Sequence, residues 1–156
     1  MGSAVTPHPE TQAVLRANQA LYDAFESGDI DLMSALWLDG PDADTVACTH
    51  PGWSPLHGRD VVLRSWSMIM ANTSYIQFVL TDLEARVTDE VAVVTCGENM
   101  LTDLPTGPDE PLDGVPGLAG GRAVATNVFR RTPEGWRLWL HHASPVLTRE
   151  LPEDDG

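Results

Sequence analysis

The chain has 156 residues, 9 basic against 23 acidic, a formal net charge of −14 and a hydrophobic fraction of 42%. That length predicts one domain with one core, and the apolar content argues against disorder. The acidic surface, which has no lysine at all, repels phosphate backbones and anionic lipid, and no apolar run approaches the roughly 20 residues of a membrane helix, so neither nucleic acid nor membrane is an expected partner.

Residues 1–9 read as a flexible tail, 10–147 as a single domain and 148–156 as an acidic tail. From Glu10 to Ser27 the apolar residues Val14, Leu21, Tyr22 and Phe25 recur at helical spacing, and Gly28 is placed to end the helix. Asp29 then caps a short second helix whose buried face carries Leu32, Met33, Leu36 and Trp37. "DGPDAD" (Asp39 to Asp44) reads as a turn and "TVACTH" (Thr45 to His50) as a first strand, with Val46, Cys48 and His50 on one face. Pro51-Gly52 breaks that strand. Trp53, His57 and Arg59 follow, and a third helix runs from about Gly58 to Met70 with Val62, Ser65, Trp66 and Ile69 on one side. Trp53 is expected to be buried against Trp66 at this corner.

Beyond Asn72 the periodicity changes to that of strands. Tyr75–Val87 and Val91–Leu101 form one predicted pair around the turn "TDE". Arg122–Arg131 and Gly135–Leu147 form another around "TPEG". Helices followed by hairpin-linked strands predict an α+β fold with helices on one face of an antiparallel sheet. Between the pairs, Thr102–Gly121 has four prolines and five glycines. Its 20 residues exceed the roughly 12–15 of an ordinary connection, which leaves a disordered loop, a lid or a partner-binding arm as readings.

The order of elements resembles the nuclear transport factor 2-like superfamily, in particular its SnoaL-like branch. "HPGW" (His50 to Trp53) is similar to that family's corner between the first strand and the next helix. "ATNVFRRTPEGWRLWLHHASPV" (Ala123 to Val146) resembles its closing hairpin, with Trp136, His142 and Ser144 at the family's positions. The resemblance implies a cone-shaped, strongly curved antiparallel sheet wrapped around the N-terminal helices (a cystatin-like α+β barrel). It also implies one apolar pocket per chain and homodimers packed through the sheet face. It does not imply an activity, since such folds serve isomerases, cyclases and dehydratases as well as assembly domains.

Side-chain alternation gathers His50, Trp53, Trp66, Asn127 and His142 around one cavity. In the closing hairpin the turn pairs Arg131 with Trp136, Phe129 with Leu138 and Asn127 with Leu140. His142 then lies diagonal to Asn127 on the same face. Two readings remain open. In one, His50 and His142 are acid–base catalysts acting without a cofactor on a small apolar molecule, with Trp53, Trp66 and Asn127 binding it. In the other, the domain binds a ligand or assembles without catalysis. A ketosteroid-isomerase-like site would need a carboxylate and a tyrosine in the cone, and the chain has only Tyr22, Tyr75 and, among acidic residues near the pocket, Glu98. Cys48, His50 and His142 have zinc-ligand chemistry but no recognised spacing, so no metal is expected. Dinucleotide, phosphate-loop and hydrolase-elbow motifs are absent. Two cysteines make no disulfide framework, and the first residues carry no secretory pattern, so a cytoplasmic location is expected.

Overall fold

The computed structural model describes residues 8–103 and 118–147. Helix α1 (Thr11–Ser27) ends at Gly28, whose φ of 66° is the left-handed conformation that lets the next amide, of Asp29, return to the Ala24 carbonyl at 3.0 Å. Asp29 then caps α2 (Ile30–Leu36) by accepting from the Leu32 amide at 3.0 Å. Met33 and Trp37 are buried as expected, but Leu32 faces outward. The predicted "DGPDAD" turn is a short 3-10 helix, Gly40–Thr45.

Strand β1 (Ala47–Thr49) is followed by a two-residue strand that sequence reading did not anticipate, β2 (Leu56–His57), which pairs with it. Helix α3 (Arg59–Ala71) is tied to the end of α2 by Arg59, whose guanidinium donates to the Trp37 carbonyl at 2.7 Å and the Ser34 carbonyl at 3.0 Å. Strands β3 (Ile76–Val87), β4 (Val91–Asp103), β5 (Leu118–Thr132) and β6 (Gly135–Pro145) complete a six-stranded sheet in the order β2-β1-β6-β5-β4-β3. All pairs are antiparallel except β1 beside β6, which run parallel.

The β4–β5 ladder continues to Asp103 opposite Leu118. Both ends of the predicted 20-residue loop therefore belong to strands, and the remainder, 104–117, lies outside the described residues. The sheet curves over the helices to make the expected cone, and its inner face joins α1 around Leu21, Met33, Trp37, Phe129 and Leu138, all fully buried.

Two bulges shape this sheet. In β3, Thr81 faces Gly97 and Glu84 faces Thr95, so Asp82 and Leu83 share one partner; Asp82 takes a φ of 54°. Gly97 permits the close approach, since a Cβ there would lie 2.6 Å from the Thr81 hydroxyl oxygen. The second bulge decides the site. Phe129 pairs with Leu138 and Val128 with Leu140, which leaves Trp139 as an extra residue on β6. Asn127 therefore pairs with His141, not with Leu140 as turn counting predicts. A single inserted residue reverses which side chains face the core. His141 is buried and His142 points outward.

Candidate functional site

A cavity of about 250 Å³ opens between α1, α3 and the inner face of the sheet. Its walls are mainly aromatic and aliphatic, among them Phe25, Trp66, Ile76 and Phe78, with Trp53 at the mouth. Polar groups enter from three places: His50 after β1, His141 on β6, and Glu98 with Tyr22 where β4 meets α1. A groove of about 690 Å³ on the outer sheet face is larger, but it is an open surface bounded by Val79, Leu101 and Arg122.

His50 is the hinge of the mouth. Its ring lies 4.8 Å from Trp53 and 4.7 Å from Trp66, both edge-on. It thus stands between the two tryptophans expected to touch, and Trp53 keeps 39% of its surface exposed instead of being buried. The Pro51-Gly52 turn makes this possible by returning the Trp53 amide to the His50 carbonyl at 2.9 Å. His50 Nε2 sits 2.9 Å from the Ser65 hydroxyl, and that hydroxyl donates to the Val62 carbonyl at 2.7 Å. Its only hydrogen is engaged, so the imidazole must be the donor, and Nδ1 carries the lone pair, 4.0 Å from the Cys48 thiol.

The same reasoning applies to His141. The Asn127 amide nitrogen donates to Asn18 Oδ1 at 2.8 Å and to the Tyr22 hydroxyl at 3.2 Å. Asn127 Oδ1 lies 2.6 Å from His141 Nδ1 and can only accept there. His141 Nε2 is therefore the unprotonated nitrogen. The Tyr22 hydroxyl in turn donates to Glu98 Oε2 at 2.6 Å. One hydrogen-bonded string thus links His141, Asn127, Tyr22 and Glu98.

Burial sets the charge states. It pulls His50 down to about 4 and His141 down to about 3, the latter helped by its histidine neighbours, so both rings are neutral at pH 7. Burial pushes the Glu98 carboxyl above the ordinary range against the opposing bond from Tyr22. It also raises the Tyr22 hydroxyl, with the Glu98 charge adding to the effect. Cys48, 3.7 Å from His50 Nε2, is driven by burial to about 12 and remains a thiol.

Of the residues predicted from sequence, His50, Trp53 and Trp66 come together at the cavity. His142 does not; the Trp139 bulge turns it to solvent and puts His141 in its place. Asn127 faces inward but lies behind the wall with every polar atom engaged by protein, so it orients His141 and has no group left for a ligand. Asn18 was not anticipated, although its spacing with Val14 and Tyr22 on α1 places all three on the buried face. Glu98 was legible from the alternation Ala92, Val94, Cys96, Glu98, all buried. Among the described residues no cluster of metal-ligating side chains forms, and no helix is long and apolar enough to cross a membrane.

Residues 14–148 match the SnoaL-like domain family. A solved structure of a candidate dehydratase of the NTF2-like family from Streptomyces avermitilis is 51% identical, with 92% of this chain and all of that chain covered and a TM-score of 0.79. A candidate calcium/calmodulin-dependent protein kinase type II association domain from Thiobacillus denitrificans is 30% identical over 92% of this chain and 99% of that one, with a TM-score of 0.67. The F-box protein SKIP8 of Arabidopsis thaliana is 23% identical over 88% of this chain, which spans about half (51%) of that curated relative's length. By sequence match, by element order and by the cone that encloses its cavity, the chain belongs to the SnoaL-like family of the nuclear transport factor 2-like superfamily.

Proposed function

We propose that the protein is a small-molecule enzyme that performs cofactor-independent acid–base chemistry on an apolar substrate, and that the reaction is a dehydration. The observation that carries this reading is the pair of neutral imidazoles, His50 and His141, with ring centroids 6.4 Å apart across one aromatic cavity. Each is held in a single tautomer by a partner that cannot serve otherwise. A neutral imidazole takes a proton from the carbon next to a carbonyl. The resulting imidazolium is a stronger acid than usual, because burial disfavours its charge. It returns the proton to the leaving hydroxyl, which departs as water and leaves the double bond. Glu98, when protonated, is suited to hydrogen-bond the carbonyl oxygen. Dehydration is preferred over isomerisation or cyclisation because of the full-length similarity, at 51% identity, to the candidate dehydratase.

The test is to incubate the protein with cyclic β-hydroxy ketones and follow the absorbance of the enone. His50→Ala and His141→Ala should each slow the reaction by about 10²–10⁴-fold. Ligands that bind without any conversion would refute catalysis and favour the second reading, a non-catalytic binding or assembly domain. That alternative draws on the 30% identity to an association domain and on the exposed outer sheet face around Val79 and Val124. In either case the proposed assembly is a homodimer through that face, and light scattering should give twice the chain mass at micromolar concentration. A cytoplasmic location is in keeping with Cys48 and Cys96, both free thiols.

A further inference from the structure

The tautomers and charges around the cavity define what can fill it. Among the described residues no arginine lines it, and the chain has no lysine. The arginines whose partners are known point elsewhere: Arg59 to the end of α2, Arg86 to Glu84, Arg130 to Asp42, Arg131 to the Asp89 carbonyl and Arg137 to the Trp136 carbonyl. Among the described residues the one acidic side chain in the wall is Glu98. An anion brought into the cavity meets no cation and shares a low-dielectric space with that carboxyl, so it loses its hydration without compensation. Among the described residues the neutral donors of the wall without a partner are the Trp66 indole nitrogen and, when it carries its proton, the Glu98 carboxyl. Neutral donors do not replace a counter-charge.

The imidazoles add a second restriction. Ser65 and Asn127 take the one N–H of each ring, which leaves lone pairs on His50 Nδ1, where the Cys48 thiol lies at 4.0 Å, and on His141 Nε2, which has no partner among the described residues. The His141 lone pair, in an apolar wall, is satisfied only by a ligand that brings a hydrogen. Size is the third restriction. A volume of about 250 Å³ falls just below the roughly 300–1,000 Å³ of sites for drug-sized ligands, so one or two rings fill it.

From these three restrictions we infer that the cavity selects an uncharged one- or two-ring alcohol or phenol, held through its hydroxyl by His141 Nε2, and rejects the carboxylate of the same shape. This rests on the reading of the cavity as a ligand pocket, but not on catalysis.

Equilibrium dialysis at pH 7 with 2-naphthol, 2-methoxynaphthalene and 2-naphthoate separates the possibilities. The naphthol should bind at least tenfold more tightly than the naphthoate and several-fold more tightly than the methyl ether, which has no hydrogen to donate. His141→Ala should bring naphthol and ether close together. Met100→Arg, which adds a cation to the wall, should raise the naphthoate affinity. A naphthoate that binds the unmodified protein as tightly as the naphthol overturns the charge argument, and an ether that equals the naphthol overturns the role of His141. If none of the three binds, the ligand-pocket reading itself fails and the inference falls with it.

Discussion

Asn127→Ala is the most informative single change. The side chain is fully buried and makes three hydrogen bonds, to His141, Asn18 and Tyr22. Tyr22 keeps its bond to Glu98. The His141 Nδ1–H and Asn18 Oδ1 are left without partners in a dry interior, and Asn18 Nδ2 already has none among the described residues. Each newly orphaned group costs about 1–3 kcal/mol and the truncation leaves a small void, for a total of about 3–6 kcal/mol. Against a typical domain stability of about 5–15 kcal/mol the protein should still fold, with a melting temperature lowered by about 6–24 °C. Urea denaturation gives the free energy and calorimetry the midpoint. A double-mutant cycle with His141→Phe isolates the cause: without the imidazole donor, Asn127→Ala should cost about 1–3 kcal/mol less. A loss below about 1 kcal/mol, or no coupling to His141, would refute the argument that Asn127 fixes the His141 tautomer.

Stability should depend on pH through the same groups. The folded state holds His50 near 4 and His141 near 3, below the ordinary value of about 6.5, so as pH falls below 6.5 the unfolded chain takes up protons that the folded chain refuses. Glu98, raised in the folded state, opposes this above about 4.5. The net expectation between about pH 4.5 and 6 is a fall in stability as pH drops, of at most about 2.7 kcal/mol per unit from the two imidazoles and less by whatever Glu98 offsets, read by urea denaturation at each pH. Above pH 9, ionisation of the unfolded Cys48 thiol, held near 12 when folded, should erode stability again. His142→Ala should change stability by less than about 0.5 kcal/mol because the side chain is exposed; a marked loss would mean the β6 register is wrong. Gly97→Ala should cost about 1–3 kcal/mol through its contact with Thr81, and Thr81→Ala in the same chain should recover part of it.

Much of this molecule is legible from local chemistry. Gly28 and Asp29 punctuate the first two helices, the switch from helical to alternating periodicity after Asn72 separates helices from sheet, and "TPEG" sets the pairing of Arg131 with Trp136. Such signals depend on neighbours a few residues apart, so a sequence carries them directly. The inward faces of Cys48 on β1, of His50 just after it and of Glu98 on β4 also follow from simple alternation. The identity of the second cavity histidine did not. Alternation counted from the hairpin turn points to His142, and only the tertiary structure puts the bulge at Trp139. There the Leu138 carbonyl accepts the Leu38 amide at 2.9 Å, and the Trp139 indole nitrogen donates to the Thr45 hydroxyl at 2.8 Å. Those partners come from about a hundred residues earlier in the chain. The string from His141 to Glu98 is likewise decided by α1 packing against β4 and β5: Tyr22 meets Glu98 across 76 positions, and Asn18 meets Asn127 across 109. Periodicity tells which face of each element is buried, but which polar side chains meet there depends on how the curved sheet closes over the helix, and no local pattern encodes that closure.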